Sequence, residues 1–221
     1  MYANIIGGLP RATTTTLQVR SIYGSFLKPL FDFIVTLIMV VPAAIIVSIF
    51  ALIVMTDGHK PFYVQKRIGK NGRTFGMWKL RSMVPNADAV LEEYLSQDPA
   101  ARREWDRTQK LKHDPRITRV GGFIRKASID ELPQLLNVLR GEMALVGPRP
   151  MMTDQRALYP GVAYYAMRPG ITGFWQTSSR NESSFAERAT FDASYFSAMS
   201  FKTDLRVLYK TVGVVFAATG Y

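Results

Sequence analysis

The hydrophobic pattern of the chain is dominated by one uncharged block from Phe33 to Met55, which reads FIVTLIMVVPAAIIVSIFALIVM. About 20 apolar residues are enough for a helix to cross the hydrocarbon core of a bilayer. The block begins late in the chain, is too long for the apolar part of a signal peptide, and has no clear small-x-small cleavage site after it. The pattern therefore predicts a membrane helix, with the buried core helix of a soluble protein as the alternative.

The path of this block through a membrane depends on its proline and its flanks. Pro42 lies near the middle, where a proline removes a backbone donor and clashes with the preceding turn, so we expect a kink or a break. Basic residues tend to stay on the cytoplasmic side of a membrane. They occur on both sides of the block, at Arg11, Arg20 and Lys28 before it and at Lys60, Lys66, Arg67, Lys70 and Arg73 after it. A straight span leaves one of these groups outside.

The sequence therefore favours a re-entrant helical hairpin over residues 28–56, kinked at Pro42, rather than a straight span. Such a hairpin enters and leaves on the same face and keeps both basic groups there. Asp32 follows Lys28 by one helical turn, so we expect these two side chains to pair near the entrance. Residues 1–27 show no strong periodicity and predict a mobile lead-in.

After the block, the patterns predict a small α+β domain, mostly helical, over residues 57–221. A short β-hairpin is expected between Pro61 and Leu80, with its turn at Asn71-Gly72. Apolar residues at helical spacing, together with capping signals, then predict three helices. They cover residues 86–97, residues 99 to about 112, and residues 128 to about 139.

The C-terminal third combines loops with one more helix. Residues 147–173 are rich in Gly and Pro and predict loops, where binding groups often lie. Residues 204–218 carry apolar side chains at helical spacing. This amphipathic helix is expected either to cover the core or to lie in the membrane interface.

Charge and composition narrow the class of function. The chain has 28 Lys and Arg against 17 Asp and Glu, a net charge of +11, and no cysteine. A basic protein with a long apolar block favours an anionic membrane surface over nucleic acid as its partner. The lack of cysteine excludes disulfides, a thiolate nucleophile and cysteine metal sites. The nucleophile elbow, the Walker loop, the dinucleotide glycine motif and the H-E-x-x-H zinc motif are also absent.

The most informative polar segment is RKASIDELPQLLN, residues 125–137, in which Asp130 and Glu131 are adjacent carboxylates at the start of a predicted helix. One interpretation is structural, because Ser128-x-x-Glu131 fits a capping box. The other is chemical. A helix N-terminus next to basic residues keeps a carboxylate ionised and attracts phosphate. One carboxylate then attacks while the other holds a divalent cation.

Basic residues are grouped beside Gly, Pro and helix starts in a way that suits a polyanion. Arg149 stands between Pro148 and Pro150, which limits its backbone and presents a planar fork suited to phosphate. The alternative for most of these side chains is a solvated basic face beside anionic lipid. The candidates for substrate binding are Lys79, Arg81, Arg119, Arg125, Arg149 and Arg168.

Three segments together resemble one protein family. They read FGMWKLRSM, DPRITRVGGFIRKASIDELPQLLNVLRGEMALVGPRP and RPGITGFWQ. They resemble the monotopic bacterial phosphoglycosyl transferases, which begin surface-glycan assembly by moving a sugar phosphate onto undecaprenyl phosphate. The tail is similar to the short exopolysaccharide galactosyl-phosphate transferases. The resemblance covers residues 28–221, and its motifs are long and in order.

The resemblance implies roles for residues already noted. Asp130 matches the nucleophilic aspartate that forms a covalent phosphosugar intermediate, and Glu131 matches its partner, which is associated with Mg²⁺. The expected metal ligands are therefore Glu131 and Asp130. Arg149 falls in the Pro-Arg-Pro motif near the nucleotide, and Arg125 matches a basic residue of the active site. The apolar block matches the re-entrant membrane element of the family. Met151-Met152 departs from the pattern, because an acidic residue often follows Pro-Arg-Pro.

The expected reaction is attack of Asp130 on the β-phosphate of a UDP-sugar, with release of UMP, followed by transfer to undecaprenyl phosphate. The expected donor is UDP-galactose or UDP-glucose, and the expected surroundings are anionic lipids at the cytoplasmic face of the bacterial inner membrane. No nucleic-acid partner is expected, and a homo-oligomer is left open. Two alternatives remain: Asp130 acts only as a general base in a ternary complex, or the chain is a non-catalytic basic membrane adaptor.

Overall fold

The computed structural model describes residues 21–108, 111–178 and 184–216. Of Val215 and Phe216 it describes the backbone only. Residues 1–20 of the lead-in predicted over residues 1–27 lie outside the described residues. The helices are α1 Lys28–Met55, α2 Ala87–Gln97, α3 Pro99–Thr108, α4 Arg119–Lys126, α5 Leu135–Leu139, α6 Ala163–Ala166, α7 Arg188–Ala198 and α8 Phe201–Phe216. The strands are β1 Phe62–Ile68, β2 Thr74–Leu80, β3 Ala144–Val146 and β4 Gly170–Thr172. The described chain is thus mostly helical, as predicted.

The apolar block forms one long helix. A π-helical turn, Tyr23–Leu27, leads directly into α1, so helical structure begins five residues before the predicted boundary at residue 28. Helix α1 continues through Pro42, and the break predicted there is not found. A proline removes a single i→i−4 hydrogen bond, and the bonds on either side maintain the helix. By length and composition the helix is able to cross a membrane, and its kink and re-entrant path stay predictions.

One face of α1 contacts the rest of the domain along its whole length. Its buried residues recur every four or seven positions, which places them on one side of the helix. They are Lys28, Asp32, Thr36, Ala43, Val47 and Ala51. The other sides expose large apolar side chains, such as Ile38 at 70% and Leu52 at 68% of their surface. The helix therefore packs through small and polar residues and presents its large apolar residues outward.

A buried charge cluster ties the entrance of α1 to α8. Lys28 Nζ lies 2.7 Å from Asp204 Oδ2 and 3.4 Å from Asp32 Oδ2, so the predicted Lys28–Asp32 pair is confirmed. The hydroxyls of Tyr23 and Tyr195 also donate to Asp204, at 2.6 and 2.7 Å. Asp204 is completely buried. A buried carboxylate needs such partners, and here they come from three helical segments.

The predicted β-hairpin is confirmed. Strands β1 and β2 are antiparallel, and the turn contains Asn71 at φ 58° and Gly72 at φ 74°, a conformation these residue types adopt readily. The register pairs Tyr63 with Lys79, Gln65 with Met77 and Arg67 with Phe75. Because side chains alternate along a strand, these six share one face of the hairpin. Through Met77, this face of the hairpin packs in the main core.

The core joins the hairpin to elements that follow much later in the chain. Its main cluster takes residues from α1, β2, α5, β3, α7 and α8, including Ala43, Met77, Leu135, Val138, Leu145, Val146, Tyr195 and Val207. Strand β4 lies within the region predicted as loops and forms a parallel pair with β3, which ends directly before that region. Each has three residues, which is too short for an alternating pattern to be recognised.

The predicted helices are recovered with different ends. Helix α2 is confirmed, and α3 begins at Pro99, where Asp98 Oδ1 accepts hydrogen bonds from the amides of Ala100 at 2.8 Å and Ala101 at 3.1 Å. The described part of α3 reaches Thr108, and Leu111 and Lys112, at the end of the predicted helix, are not helical. Helix α8 begins at Phe201 instead of residue 204.

The helix predicted over residues 128–139 is a 3₁₀ helix, Ile129–Gln134, followed by the short α5. Pro133 lies within the 3₁₀ segment and supplies no amide donor to a longer α-helix. Helix α4, capped by the Thr118 hydroxyl, was not predicted. Gly121 and Gly122 at its centre weaken the helical signal.

Gly121 and Gly122 provide a paired test of this packing. A Cβ on Gly121 would overlap the carbonyl oxygen of Ser82, whereas the nearest atom to a Cβ on Gly122 is Ile117 Cγ2 at 4.0 Å. Gly121→Ala is expected to reduce the free energy of unfolding by about 1–3 kcal/mol. Gly122→Ala should raise it by up to about 1 kcal/mol, because alanine favours helix. Denaturant unfolding of the detergent-solubilised protein measures both, and equal effects would contradict the close approach.

Candidate active site

The Asp130–Glu131 pair is presented by the 3₁₀ helix and not by a capped α-helix. Ser128, which precedes this helix, has φ 56° and its side chain makes no capping hydrogen bond. The capping-box interpretation of Ser128 and Glu131 is therefore wrong. The left-handed residue turns the chain so that the two carboxylates follow directly, with Asp130 buried and Glu131 half-buried. The packing of Ile129 beneath them, against Leu80 and Ile124, fixes this turn.

Lys79 of β2 lies between the two carboxylates. Its Nζ donates to Asp130 Oδ2 at 2.9 Å and lies 3.6 Å from Glu131 Oε1. The lysine side chain is 11% exposed and that of Asp130 is 8% exposed, so this ion pair is shielded from solvent. The other oxygen of Asp130, Oδ1, accepts no hydrogen bond within the described part of the chain. One carboxylate oxygen is thus anchored while the second is available.

The electrostatics of Lys79 follow from this geometry. Burial by itself lowers the pKa of a lysine, but the adjacent Asp130 and Glu131 carboxylates outweigh it and raise the pKa of Lys79 above its usual value. The lysine is therefore charged throughout the physiological range. Its charge compensates that of the two carboxylates.

Arg149 approaches the same pair from the Pro-Arg-Pro loop. Its Nη2 lies 3.4 Å from Glu131 Oε1, and its guanidinium carbon lies 5.8 Å from the ring centroid of Trp175. The loop is tied to the end of β1, since the amide of Ile68 donates to the carbonyl of Met151 at 3.0 Å. Met151 itself is buried against Tyr164. The residue that departs from the family pattern is therefore part of the core.

Arg67 is a second arginine in this pocket. Its Nη1 donates to the carbonyl of Pro150 at 3.0 Å and its Nη2 to Gln65 Oε1 at 2.5 Å, whereas its buried Nε has no partner. Burial, together with the charge of nearby Arg149, lowers the pKa of Arg67 to about 10, so it stays charged at neutral pH. The pocket is lined by Arg67, Met77, Lys79, Glu131, Gln134, Arg149, Pro150, Gly170 and Ile171.

Four of the candidate basic residues are placed elsewhere. Arg81 binds the carboxylate of Asp57 with two nitrogens at 2.6 Å and donates to the carbonyl of Val54, so it holds the end of α1. Arg125, on α4, donates to the hydroxyl of Ser82 at 2.9 Å. The structure therefore assigns Arg81 a role in holding a helix end and places Arg125 beside β2.

The remaining two candidates also lie outside the pocket lining. Arg119 is exposed at the first position of α4. Arg168 is half-buried just before β4, and its charge contributes to lowering the pKa of Lys70, for which burial is the main cause. Of the six candidate basic residues, Lys79 and Arg149 are the two that the structure brings to Asp130 and Glu131.

The half-buried Arg67 and the buried Arg188 were not among the candidates, although the sequence carries a signal for each. Arg67 and Lys79 share a hairpin face with the core residue Met77, so the period-2 pattern places them inward. Arg188 is spaced four and seven residues from Asp192 and Tyr195, the other buried residues of α7. Polar residues at core spacing are the pattern that identifies both arginines.

The arrangement suits the binding and transfer of a phosphate group. Buried cations and arginines compensate anionic charge, and a carboxylate with one free oxygen is a nucleophile or a base. Within the described residues no cluster of three or more His, Cys or acidic side chains occurs. The metal ligands expected from the sequence, Asp130 and Glu131, are a pair of carboxylates on the 3₁₀ helix. Mg²⁺ is commonly bound by one or two carboxylates together with substrate phosphates, so the donor set fits it.

Comparison with known proteins agrees with this chemistry. The profile of a family described as bacterial sugar transferase matches residues 23–218. The chain is 50% identical over 199 residues to the UDP-galactose-lipid carrier transferase of Erwinia amylovora, covering 88% of this chain and 41% of that protein. It is 43% identical over 200 residues to the exopolysaccharide production protein ExoY of Sinorhizobium fredii, covering 89% and 88%.

A third relative extends the comparison. The undecaprenyl-phosphate galactose phosphotransferase of Salmonella typhimurium is 45% identical over 197 residues, which cover 88% of this chain and 41% of that protein. The chain thus spans about two fifths of the length of the Erwinia and Salmonella relatives and most of the length of ExoY.

The charge compensation by Lys79 is tested by Lys79→Met, which keeps an unbranched side chain, one atom shorter, and removes the charge. Asp130 and Glu131 then lose their buried partner, so the free energy of unfolding should fall by about 3–5 kcal/mol. Lys66→Met, at an exposed position of β1, is the matched control and should change it by less than about 0.5 kcal/mol. Denaturant unfolding measures both, and equal losses would contradict the ion-pair role.

The pH dependence of this stabilisation follows from the sign of the shift. Because the pKa of Lys79 is raised by folding, its contribution is fully present below the ordinary lysine pKa of about 10.4. It is lost only as the pH rises through the higher folded value. The difference between the parent and Lys79→Met should therefore not decline between about pH 7 and about pH 9.

Proposed function

Because the chain belongs to the bacterial sugar transferase family, we propose that it transfers a sugar 1-phosphate from a UDP-sugar to undecaprenyl phosphate. This reaction would be the first step of exopolysaccharide repeat-unit assembly. The observation that carries the proposal is the buried Asp130, held by Lys79 through one oxygen and open at the other, beside Glu131 and Arg149. The names of the Erwinia and Salmonella relatives support the substrate class.

In the first step, Asp130 Oδ1 attacks the β-phosphorus of the UDP-sugar. The bond from this phosphorus to the oxygen that bridges the two phosphates breaks, and UMP leaves with that oxygen. The product is an aspartyl phosphosugar. The hydrogen bond from Lys79 to Oδ2 orients the carboxylate and offsets its charge while the phosphate approaches.

In the second step, a phosphate oxygen of undecaprenyl phosphate attacks the same phosphorus and the bond to Asp130 breaks. The carboxylate is regenerated, and the lipid carries a diphosphate-linked sugar. Both substrates and the nucleophile are anions, so the site has to supply positive charge. Lys79, Arg149 and Arg67 do so from two sides of the pocket.

A divalent cation fits the donor set of this site. Mg²⁺ would be held by Glu131 and Asp130 together with phosphate oxygens of the donor. When bound, it would offset the charge that develops on the departing UMP. From the positions described, Asp130 is the nucleophile, Lys79 orients it, and Arg149 offsets the charge of the phosphates.

The packing of α1 supports a monotopic attachment at the cytoplasmic face. At one end Lys28 pairs with Asp204, and at the other Arg81 donates to the carbonyl of Val54 at 3.0 Å. Between them, Ala43 belongs to the main core. A helix of this length measures about 42 Å, and a straight crossing would carry its ends to opposite faces. A single domain that contacts both ends favours a path that stays on one side.

Helix α8 supports attachment to anionic lipid. Its exposed apolar side chains Phe201, Leu205, Tyr209 and Val212 form one stripe. Exposed basic residues stand beside this stripe at every fourth position, namely Lys202, Arg206 and Lys210. Apolar and basic stripes on one helix are typical of a helix in the interface of an anionic membrane. This arrangement is expected to place the pocket near the headgroup plane, where the phosphate of the lipid acceptor lies.

Asp130→Asn tests the role of the nucleophile. Asparagine keeps the size of the side chain but lacks the attacking charge, so UMP release should fall by more than about a thousandfold. UMP release from UDP-galactose and from UDP-glucose, measured with purified protein, Mg²⁺ and undecaprenyl phosphate, also compares the two expected donors. Asp88→Asn, at an exposed position of α2, is the control and should keep parental activity.

The outcomes of this assay separate the alternatives. Near-parental turnover by Asp130→Asn would contradict the proposed nucleophile. A parent that releases no UMP from any UDP-sugar would leave the basic membrane adaptor as the better account. Excess EDTA should abolish UMP release, and full activity in EDTA would contradict the metal assignment.

The topology is tested with two single cysteines, because the parent contains none. Cysteines at Ser21 and Thr56 stand at exposed positions before and after the membrane helix. In intact cells with a permeable outer membrane, both should resist a membrane-impermeant thiol reagent, and both should react after lysis. Labelling of the Ser21 cysteine in intact cells would show a straight span with its N-terminal end outside.

A further inference from the structure

Arg188 is a buried cation without an ion-pair partner among the described residues. It begins α7 and is 8% exposed. Its guanidinium carbon lies 4.2 Å from the ring centroid of Trp175 and 4.5 Å from that of Phe185. Its Nε is buried and makes no hydrogen bond. The side chain is therefore stacked between aromatic rings, which hold a guanidinium well but do not neutralise it.

The acidic residue of the same helix face leaves this charge only partly compensated. Asp192 lies one turn after Arg188 and accepts a hydrogen bond from the Tyr159 hydroxyl at 2.6 Å. Asp192 attracts Arg188 electrostatically, but the two are not within the 4.0 Å of an ion pair. A buried charge without a close counter-charge costs folding free energy. Such a cost is understandable where the charge serves binding.

The unpaired charge lies next to the phosphate-binding arginines. Arg149 and Arg188 contact the same indole, so their guanidinium carbons are at most 10.0 Å apart, the sum of their distances to the shared centroid. Burial lowers the pKa of Arg188 to about 9, and the charges of Arg149 and Arg67 contribute to this. Arg188, like Arg67, is therefore charged at neutral pH. Among the described residues, Arg149 forms an ion pair with Glu131, and neither Arg67 nor Arg188 forms one.

We propose that Arg188 is a positioning residue for the phosphates of the nucleotide. The electric field of its buried charge adds to that of Arg149, on the same Trp175 ring, and raises the affinity of the pocket for the nucleotide anion. Arg188 itself does not contact the nucleotide. The inference rests on the proposed function, which supplies a uridine nucleotide as the anion. Without nucleotide, the three guanidinium groups repel one another and the cluster costs stability. Phosphate binding supplies the missing negative charge.

The proposal predicts opposite effects of one substitution on stability and on binding. Arg188→Met fills the space between the two rings without charge, so the melting temperature of the free protein should be unchanged or higher. Its affinity for UDP and for UMP should fall about tenfold or more. Arg188→Lys retains the charge and should stay within about threefold of the parent. Arg103→Met, an exposed residue of α3, removes the same charge and should leave both quantities unchanged.

The experiment uses the full chain in detergent, with calorimetric or spectroscopic titration of UDP, UMP and uncharged uridine, and thermal unfolding without ligand. UDP affinity of Arg188→Met equal to that of the parent would overturn the proposal. So would a lower melting temperature together with a loss that Arg188→Lys does not rescue, because this describes a packing role. A parent that binds neither nucleotide would also overturn it. UMP release from UDP-sugars is assayed separately, so a parent that binds UDP through Arg188 but releases no UMP would contradict only the proposed function.

Discussion

The arrangement of the site depends on one buried ion pair, in which Lys79 of the hairpin neutralises Asp130 at the start of a 3₁₀ helix. Burying a carboxylate is unfavourable unless a cation stands beside it, and burying a lysine is unfavourable for the same reason. Each therefore requires the other, and the hairpin and the 3₁₀ helix have to meet where they do. Strand β1 also positions the Pro-Arg-Pro loop, because Arg67 and the amide of Ile68 donate to the carbonyls of Pro150 and Met151. The contacts that bring the loop to the site are thus made by the hairpin.

Helix α1 also buries its polar residues beside partners, and it separates small buried residues from large exposed ones. Its buried side uses small residues such as Ala43 and Ala51 in the middle, and Lys28 and Asp32 at the entrance, so it packs closely on the domain. Its large apolar residues face outward, where a bilayer would surround them. The charge cluster around Asp204 connects this entrance to α8, whose apolar and basic stripes lie side by side. The charge cluster therefore fixes α1 and α8 relative to each other.

Much of this was predictable from local patterns. The apolar block, the hairpin with its Asn71-Gly72 turn, α2 and the carboxylate pair all carry strong sequence signals. The residues that were misjudged depend on distant contacts. Arg81 resembles a phosphate ligand in sequence, yet it holds Asp57 and the end of α1. Ser128 resembles a helix cap, yet its positive φ excludes that role. The burial of Arg188 is signalled by its spacing to Asp192 and Tyr195, but its place beside Arg149 is set by tertiary packing and was not predictable.

Trapping the intermediate shows whether Asp130 becomes covalently bonded to the sugar phosphate. The purified chain is incubated with Mg²⁺ and a UDP-sugar labelled at the β-phosphate, without lipid acceptor, then quenched in acid and digested. If Asp130 is the nucleophile, the label should lie on the peptide that contains Asp130, with one UMP released per labelled site. It should be lost when undecaprenyl phosphate is added before the quench. UMP release that requires the acceptor, with no labelled peptide at any time, would contradict it and show direct transfer in a ternary complex.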